Sequence, residues 1–117
     1  MGKYFDYDVA MSYLGGMEFL LKKIADSFMD EYSDFTQNVT KALEDEENAY
    51  PGYMNSRLYS LLHTLKGITL NLGFQTLYDE LLPILASLKE NIIEKEKIAS
   101  MLDTFNASFK ELKEFIS

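Results

Sequence analysis

Apolar side chains recur at steps of three and four residues along most of the chain, and this spacing constrains the fold more than any other feature. The repeat matches the 3.6-residue turn of an α-helix and gives each helix one apolar stripe. No segment shows the sustained alternation that a half-buried β-strand requires. The pattern predicts a short helical segment at residues 7–14, followed by amphipathic helices over residues 17–44, 54–72, 74–90 and 98–116.

The breaks between these segments carry residues that end helices. Gly15 and Gly16 separate the short first segment from the long one. Residues 44–52 are acidic and polar and end in a Pro-Gly pair, which predicts a turn. Pro83 lies inside the fourth helical pattern, where a proline removes a backbone hydrogen bond and costs about 3 kcal/mol. We therefore expect a kink or a restart of the helix at that position.

These elements predict an all-α fold in one domain. The chain has 117 residues, which is enough for one domain and too few for two. Short connections make neighbouring helices antiparallel. We therefore expect residues 1–117 to form a single up-down-up-down four-helix bundle, with a short N-terminal helix across one end.

Charge and residue content argue against several function classes. The formal net charge is −8, whereas binding to a nucleic-acid backbone needs a basic surface. The chain contains no cysteine, which removes disulfides, thiolate nucleophiles and cysteine metal sites. No apolar run approaches the ~20 residues of a membrane span, and the first residues lack the order of a signal peptide. We expect a cytoplasmic protein that binds neither nucleic acid nor membrane.

Residues 61–73, LLHTLKGITLNLG, contain the single histidine of the chain. At 100° per residue, His63 shares the side of the helix away from the apolar stripe with Lys66 and Gly67, so we expect it to be partly exposed. A neutral imidazole is a nucleophile near neutral pH and can accept a phosphoryl group. Lys66 lies beside it and can neutralise phosphoryl oxygens. Gly67 leaves room for a protein partner, although glycine weakens a helix by roughly 1 kcal/mol relative to alanine.

The sequence HTLKGITLNLG closely resembles the signature of histidine-containing phosphotransfer (HPt) domains, in which His-x-Leu-Lys-Gly is followed by a small or apolar run and a glycine. The matching residues are His63, Leu65, Lys66, Gly67 and Gly73, and Asn71 is common at its position. The stretch YDVAMSYLGGMEFLLKKIADSF also looks like the family's first helix, its Gly-Gly pair and the start of its second helix.

The resemblance implies a phosphorelay protein without kinase activity of its own. The histidine of the family exchanges a phosphoryl group with an aspartate of a response-regulator receiver domain in two-component signalling. The expected partners are therefore a receiver domain, a hybrid histidine kinase, or both. The family needs no cofactor of its own, because the receiver contributes the acidic pocket and Mg²⁺.

The resemblance also assigns roles to residues of this chain. His63 is the expected phosphoacceptor, Lys66 stabilises the phosphoryl group, and Gly67 gives access to the histidine. The receiver would dock around the first helix and the exposed side of the histidine helix. The expected contacts are Met11, Leu14, Tyr59 and Leu70.

The sequence departs from the family's pattern on the following helix. Many members place Gln or Glu about 22 residues after the histidine, where it hydrogen-bonds the other ring nitrogen and fixes the tautomer. Leu85 stands at that place in this chain. Ser87 and Gln75 are the polar neighbours that could substitute for it.

The sequence leaves open two other function classes, an adaptor module and a cofactor-binding bundle. The lack of a polar residue at Leu85, together with Leu70 on the exposed stripe, suits an adaptor module that docks on a receiver without carrying phosphate. A haem-binding bundle would pair His63 with a methionine such as Met11 or Met17, but it needs an apolar pocket rather than the polar side of a helix. A transition-metal site would need several converging ligands, and the chain offers one histidine without an ExxH motif.

Overall fold

Every regular element of the chain is helical within residues 4–49 and 57–117, the ranges that the computed structural model describes. The helices are α1 (Tyr7–Tyr13), α2 (Glu18–Glu31), α3 (Phe35–Ala49), α4 (Arg57–Thr69), α5 (Gln75–Lys89) and α6 (Lys95–Ile116), and a 3₁₀ turn at Leu70–Leu72 directly follows α4. The predicted all-α fold is confirmed. None of the helices in these ranges has the length and apolarity that crossing a bilayer demands.

The helices contact one another through their apolar stripes. Helix α4 packs against α3 and α5, α5 packs against α6, and α6 packs against α2. The short α1 packs against the 3₁₀ turn and α2. The largest fully buried side chains come from α2, α4, α5, α6 and the segments after α4, and they include Leu21, Phe28, Leu58, Leu62, Leu65, Leu72, Phe74, Leu77, Leu81 and Ile98.

The first helix has a defined end on each side, and the paired glycines at its C-terminus lie where the sequence predicts a break. Asp6 caps its N-terminus, because the carboxylate accepts a 3.1 Å hydrogen bond from the N–H of Val9. Beyond its C-terminus, Gly15 and Gly16 have φ angles of 65° and 77°. Glycine adopts this left-handed conformation without the steric cost of a Cβ atom, so the pair turns the chain into α2.

A carboxylate of α6 holds the segment before α1. The Oε1 atom of Glu111 accepts hydrogen bonds from the backbone N–H groups of Tyr4 and Phe5, both with a length of 2.8 Å. The ring of Phe5 is buried and lies 5.1 Å from the ring of Phe115, measured between centroids. The segment is therefore attached to α6 by both polar and apolar contacts.

The prediction of one continuous helix over residues 17–44 is wrong, because the chain turns between α2 and α3. The turn contains neither glycine nor proline. Tyr32, which ends α2, stacks on Phe28 with ring centroids 4.5 Å apart. Phe35, which begins α3, packs on Phe105 of α6, with 4.6 Å between the ring centroids. Packing of these aromatic rings in the core therefore accounts for the turn.

The structure also corrects the predicted turn after α3 and limits the expectation at Pro83. Helix α3 continues to Ala49, so residues 44–49 are helical, whereas the Pro-Gly pair of the predicted turn lies outside the described residues. Of the kink or restart expected at Pro83, the restart is excluded, because helix α5 continues through this residue. Because proline has no N–H, the backbone carbonyl of Asp79, four residues earlier, receives no helical hydrogen bond from Pro83. Both residues are exposed, so this carbonyl belongs to a residue on the solvent side of the helix.

Candidate functional site

His63 lies in the middle of α4 and is exposed. The opposite stripe of the same helix holds Leu58, Leu62 and Leu65, which are fully buried. Because residues three and four apart share a face of a helix, the leucines attach α4 to the core and leave the imidazole outside it. The prediction that His63 is exposed is confirmed.

The imidazole borders an open groove of about 430 Å³ between α4 and α5. Helix α4 contributes Tyr59, His63 and Lys66, and the other side is lined by Leu82, Leu85, Ala86, Lys89 and Glu90. Positions 82, 85, 86 and 89 have the spacing of one helical face. On this side the groove therefore has an apolar wall, and the charged residues Lys89 and Glu90 lie at its end.

The groove gathers positive charge in a protein that is acidic as a whole. Two lysines, Lys66 and Lys89, and one carboxylate, Glu90, line it, so cations outnumber anions among the lining side chains. The formal net charge of the chain is −8. A local excess of cations next to an exposed nucleophile suits an anionic group.

Lys89 lines the groove, although the sequence pattern does not identify it as a site residue. Periodicity defines the face of each helix but not the register of one helix against its neighbour, so nothing in the pattern places Lys89 opposite His63. The sequence does hold one indication of its place. Lys89 follows Leu85 by four residues and therefore lies on the same face of α5, the face that lines the groove.

Tyr59 stacks on the imidazole of His63. The two ring centroids are 5.6 Å apart and the ring planes are inclined by 18°. Tyr59 is only 7% exposed, so the prediction that it lies on the exposed side of the helix is wrong. Its side chain lines the groove with Leu85 of α5, and a helical projection does not show how closely a neighbouring helix packs.

The other predicted receiver contacts lie away from the groove. Leu14 is buried at the C-terminal end of α1, with 8% of its surface exposed. Met11 of α1 and Leu70 of the 3₁₀ turn are partly buried. Because α1 packs on the 3₁₀ turn, the three residues belong to elements that meet beyond the C-terminal end of α4.

The two glycines of the motif have different surroundings. A Cβ atom on Gly67 would meet no heavy atom within 4 Å, and its φ is not positive, so the fold does not require glycine there. Gly73 has a φ of 72°, and a Cβ atom on it would lie 2.1 Å from the carbonyl oxygen of Asp6. Gly73 is thus required by the fold, whereas Gly67 leaves bare helix surface one turn after His63.

The polar residues proposed to orient the imidazole do not line its groove. Leu85 lines it and is 4% exposed, so this position offers no hydrogen-bonding group. The hydroxyl of Ser87 donates to the carboxylate of Glu94. The Nε2 atom of Gln75 donates a 3.0 Å hydrogen bond to Asp79. The expectation that Ser87 or Gln75 substitutes for the missing partner is therefore wrong.

No three His, Asp or Glu side chains of residues 4–49 and 57–117 converge in a way that could hold a metal ion. Met17, which the sequence offers as a haem ligand, is 45% exposed and immediately precedes α2.

No protein-family model, curated protein or solved structure matches this chain. What the chain does therefore has to be inferred from the chemistry of the groove. That chemistry consists of an exposed imidazole, two lysines, an apolar wall and a bare stretch of helix.

Proposed function

We propose that this chain is a phosphotransfer protein of the HPt type, in which His63 accepts a phosphoryl group from an aspartate of a receiver domain and passes it on. The observation that carries the proposal is the position of the single histidine, exposed at an open groove that also holds Lys66 and Lys89. An open groove suits a reaction in which a second protein supplies the rest of the active site.

The transfer step needs only a nucleophile and nearby cations from this chain. The lone pair of a neutral imidazole nitrogen attacks phosphorus, and an N–P bond forms while the P–O bond to the aspartate breaks. The electron pair of the broken bond returns to the aspartate carboxylate. The other ring nitrogen keeps its proton, so the product ring is cationic until that proton leaves to solvent.

Each lysine of the groove would act on the charge of the phosphoryl group. The ammonium groups of Lys66 and Lys89 place positive charge next to the phosphoryl oxygens during transfer. Under this proposal the receiver supplies Mg²⁺, and the chain has no cofactor and no kinase activity of its own. The resemblance to HPt domains also favours a cytoplasmic location.

We infer that the helices form one four-helix bundle, in which α2 and α3 together make up one member and α1 lies across one end. This inference is supported by the contacts between helices: α3 contacts α4, α4 contacts α5, α5 contacts α6, and α6 contacts α2. The connection from α5 to α6 spans only residues 90–94, and that from α4 to α5 only residues 70–74. Short connections of this kind favour antiparallel neighbours.

Incubation of the purified protein with phosphorylated receiver domains and Mg²⁺, freed of the small-molecule phosphate donor, tests the proposed function. We expect an acid-labile, base-stable phosphate on His63. The variant His63→Gln should lose the label and keep the free energy of unfolding within about 0.5 kcal/mol, because the side chain is exposed. Thr64→Gln, at the next exposed position of α4, is the matched control and should keep the label. A wild-type protein that takes no phosphate from any receiver of a broad panel would contradict phosphotransfer.

The apolar wall at Leu85 favours one second candidate, a helical adaptor that docks on a receiver without accepting phosphate. Calorimetric titration of a receiver against the wild type and His63→Gln separates the two functions. An adaptor binds equally well in both forms and carries no label in either.

A further inference from the structure

We propose that Tyr59 is a positioning residue, which fixes the plane of the His63 imidazole by stacking and takes the place of a hydrogen-bonding partner. The inference deepens the proposed phosphotransfer function and rests on it for its chemical consequence. The stack itself is a property of the folded chain and can be measured without a receiver.

The geometry of α4 brings the two rings together. His63 lies four residues after Tyr59, and side chains of a helix lean toward its N-terminus. The imidazole therefore leans back over the preceding turn, where the phenol ring lies. A centroid distance of 5.6 Å and an interplanar angle of 18° fall in the range of offset-stacked aromatic pairs.

The two members of the stack differ in how firmly they are held. Tyr59 is 7% exposed and lines the groove beside Leu85, so its ring is fixed by the core. His63 is exposed, and its ring would otherwise rotate about its side-chain torsions. The phenol therefore acts as the fixed surface and the imidazole as the part that is oriented.

Hydrogen bonding does not provide this orientation in the described part of the chain. The wall of the groove on α5 has no polar side-chain atoms, because it consists of Leu82, Leu85 and Ala86. Among residues 4–49 and 57–117, no side chain forms a hydrogen bond with the imidazole. Within these residues, the stack on Tyr59 is the ring contact that can orient the imidazole.

The chemical consequence follows from the direction of the nitrogen lone pair. This lone pair lies in the plane of the ring, so the phosphorus atom must approach in that plane. A stack covers a face of the imidazole and leaves its edge free. Tyr59 therefore restricts the plane of attack, and the stack does not cover the edge of the ring that carries the nitrogens.

Three variants separate positioning from simple packing. Tyr59→Phe keeps the aromatic ring, whereas Tyr59→Leu keeps an apolar side chain but removes the stacking surface. Tyr59→Met, with a flexible side chain that fills irregular space, gives the same comparison if the leucine variant does not fold. Circular dichroism and urea unfolding establish that each variant is folded before it is compared.

The first measurement is the proton NMR spectrum of the only imidazole in the chain. Stacking on the phenol shifts the ring protons of His63 upfield, away from the values of an exposed histidine. We expect Tyr59→Phe to keep this shift and Tyr59→Leu to lose it. Unchanged ring-proton shifts in Tyr59→Leu would overturn the proposal.

The second measurement compares two phosphoryl donors. A phosphorylated receiver presents phosphorus in a fixed direction, and a misplaced nucleophile reacts about 10- to 100-fold more slowly. Phosphoramidate, whose P–N bond breaks with loss of ammonia as the imidazole attacks, diffuses freely and reaches any ring orientation. We expect Tyr59→Leu to slow transfer from the receiver while the phosphoramidate rate stays close to that of the wild type.

Two results of the donor comparison would contradict positioning. Equal slowing with both donors would show that Tyr59 affects the reactivity or integrity of the site instead of the ring plane. A Tyr59→Phe variant as slow as Tyr59→Leu would show that the ring surface is not what matters. If receivers fail to label the wild type, the proposed function fails, while the ring-proton shifts still decide whether Tyr59 orients His63.

Discussion

The backbone N–H of Asp6 donates a hydrogen bond to the carbonyl oxygen of Gly73, with a nitrogen-to-oxygen distance of 2.8 Å. The bond joins the N-cap of α1 to the residue that ends the 3₁₀ turn after the histidine helix. Gly73 is left-handed at this contact, and a Cβ atom on it would overlap the carbonyl oxygen of Asp6. The position of α1 against the end of α4 therefore depends on this glycine.

Replacing Gly73 should destabilise the protein. In Gly73→Ala the left-handed backbone alone costs about 1–2 kcal/mol, and the overlap with Asp6 adds to that cost. Urea unfolding followed by circular dichroism measures the loss. A Gly73→Ala protein as stable as the wild type would show that α1 does not need this close approach.

Replacing Gly67 should have the opposite effect on stability. Gly67→Ala is expected to raise the free energy of unfolding by up to about 1 kcal/mol, because alanine is the better helix former and its Cβ meets nothing. Gly67→Gln should also fold, but its longer side chain would cover the surface beside His63 and slow transfer from a receiver. Thr64→Gln adds the same side chain at an exposed position of α4 outside the groove. If the two glutamine variants transfer at the same rate, Gly67 does not provide access.

Removing the second lysine of the groove should slow phosphotransfer without unfolding the protein. An exposed charge pair contributes up to about 1 kcal/mol, which corresponds to about a fivefold change in rate. Lys89→Ala should show a decrease of that order in a rapid-quench assay with a phosphorylated receiver. Lys110→Ala removes an exposed lysine of α6 outside the groove and serves as the control. Equal rates for the two alanine variants would remove Lys89 from the site.

The carboxylate of Glu94 should make stability depend on pH. The hydroxyl of Ser87 and then the ammonium of Lys97 lower the pKa of Glu94 below its ordinary value of 4.5. A carboxylate with a lowered pKa in the folded state contributes stability above its unfolded pKa and loses it as pH falls through the folded pKa. Glu94→Gln should therefore melt below the wild type at pH 7.

The two melting temperatures should converge in acid, once the pH is well below the ordinary pKa of a glutamate. Glu96→Gln removes an exposed carboxylate from the first turn of the same helix and is the matched control. A difference between wild type and Glu94→Gln that does not change with pH would exclude the titration of Glu94 as its cause.

Local signals in the sequence predicted the features that depend on one helix at a time. The pair Gly15 and Gly16 correctly predicted where α1 ends, because both residues adopt a positive φ. The apolar spacing around Leu62 and Leu65 predicted which side of α4 is buried, and hence the exposure of His63. These features follow from steric limits and helical periodicity, which the sequence carries directly.

Features that depend on contacts between helices could not be predicted in the same way. The turn after Tyr32 has no helix-breaking residue and follows from packing of Phe35 on Phe105 of a distant helix. The burial of Tyr59 and the presence of Lys89 in the groove depend on the register of α5 against α4. That register is set by the fit of side chains across the interface, which a single helical period does not encode.

The attachment of the segment before α1 to Glu111 has a consequence for the order of folding. The amide of Phe5 and the carboxylate that binds it are 106 residues apart in sequence, so this contact closes nearly the whole chain. Closing so long a loop costs entropy that α1, with seven residues, cannot offset by itself. Helix α1 should therefore dock last, onto helices already assembled, and should be the first element to detach when the native protein opens locally.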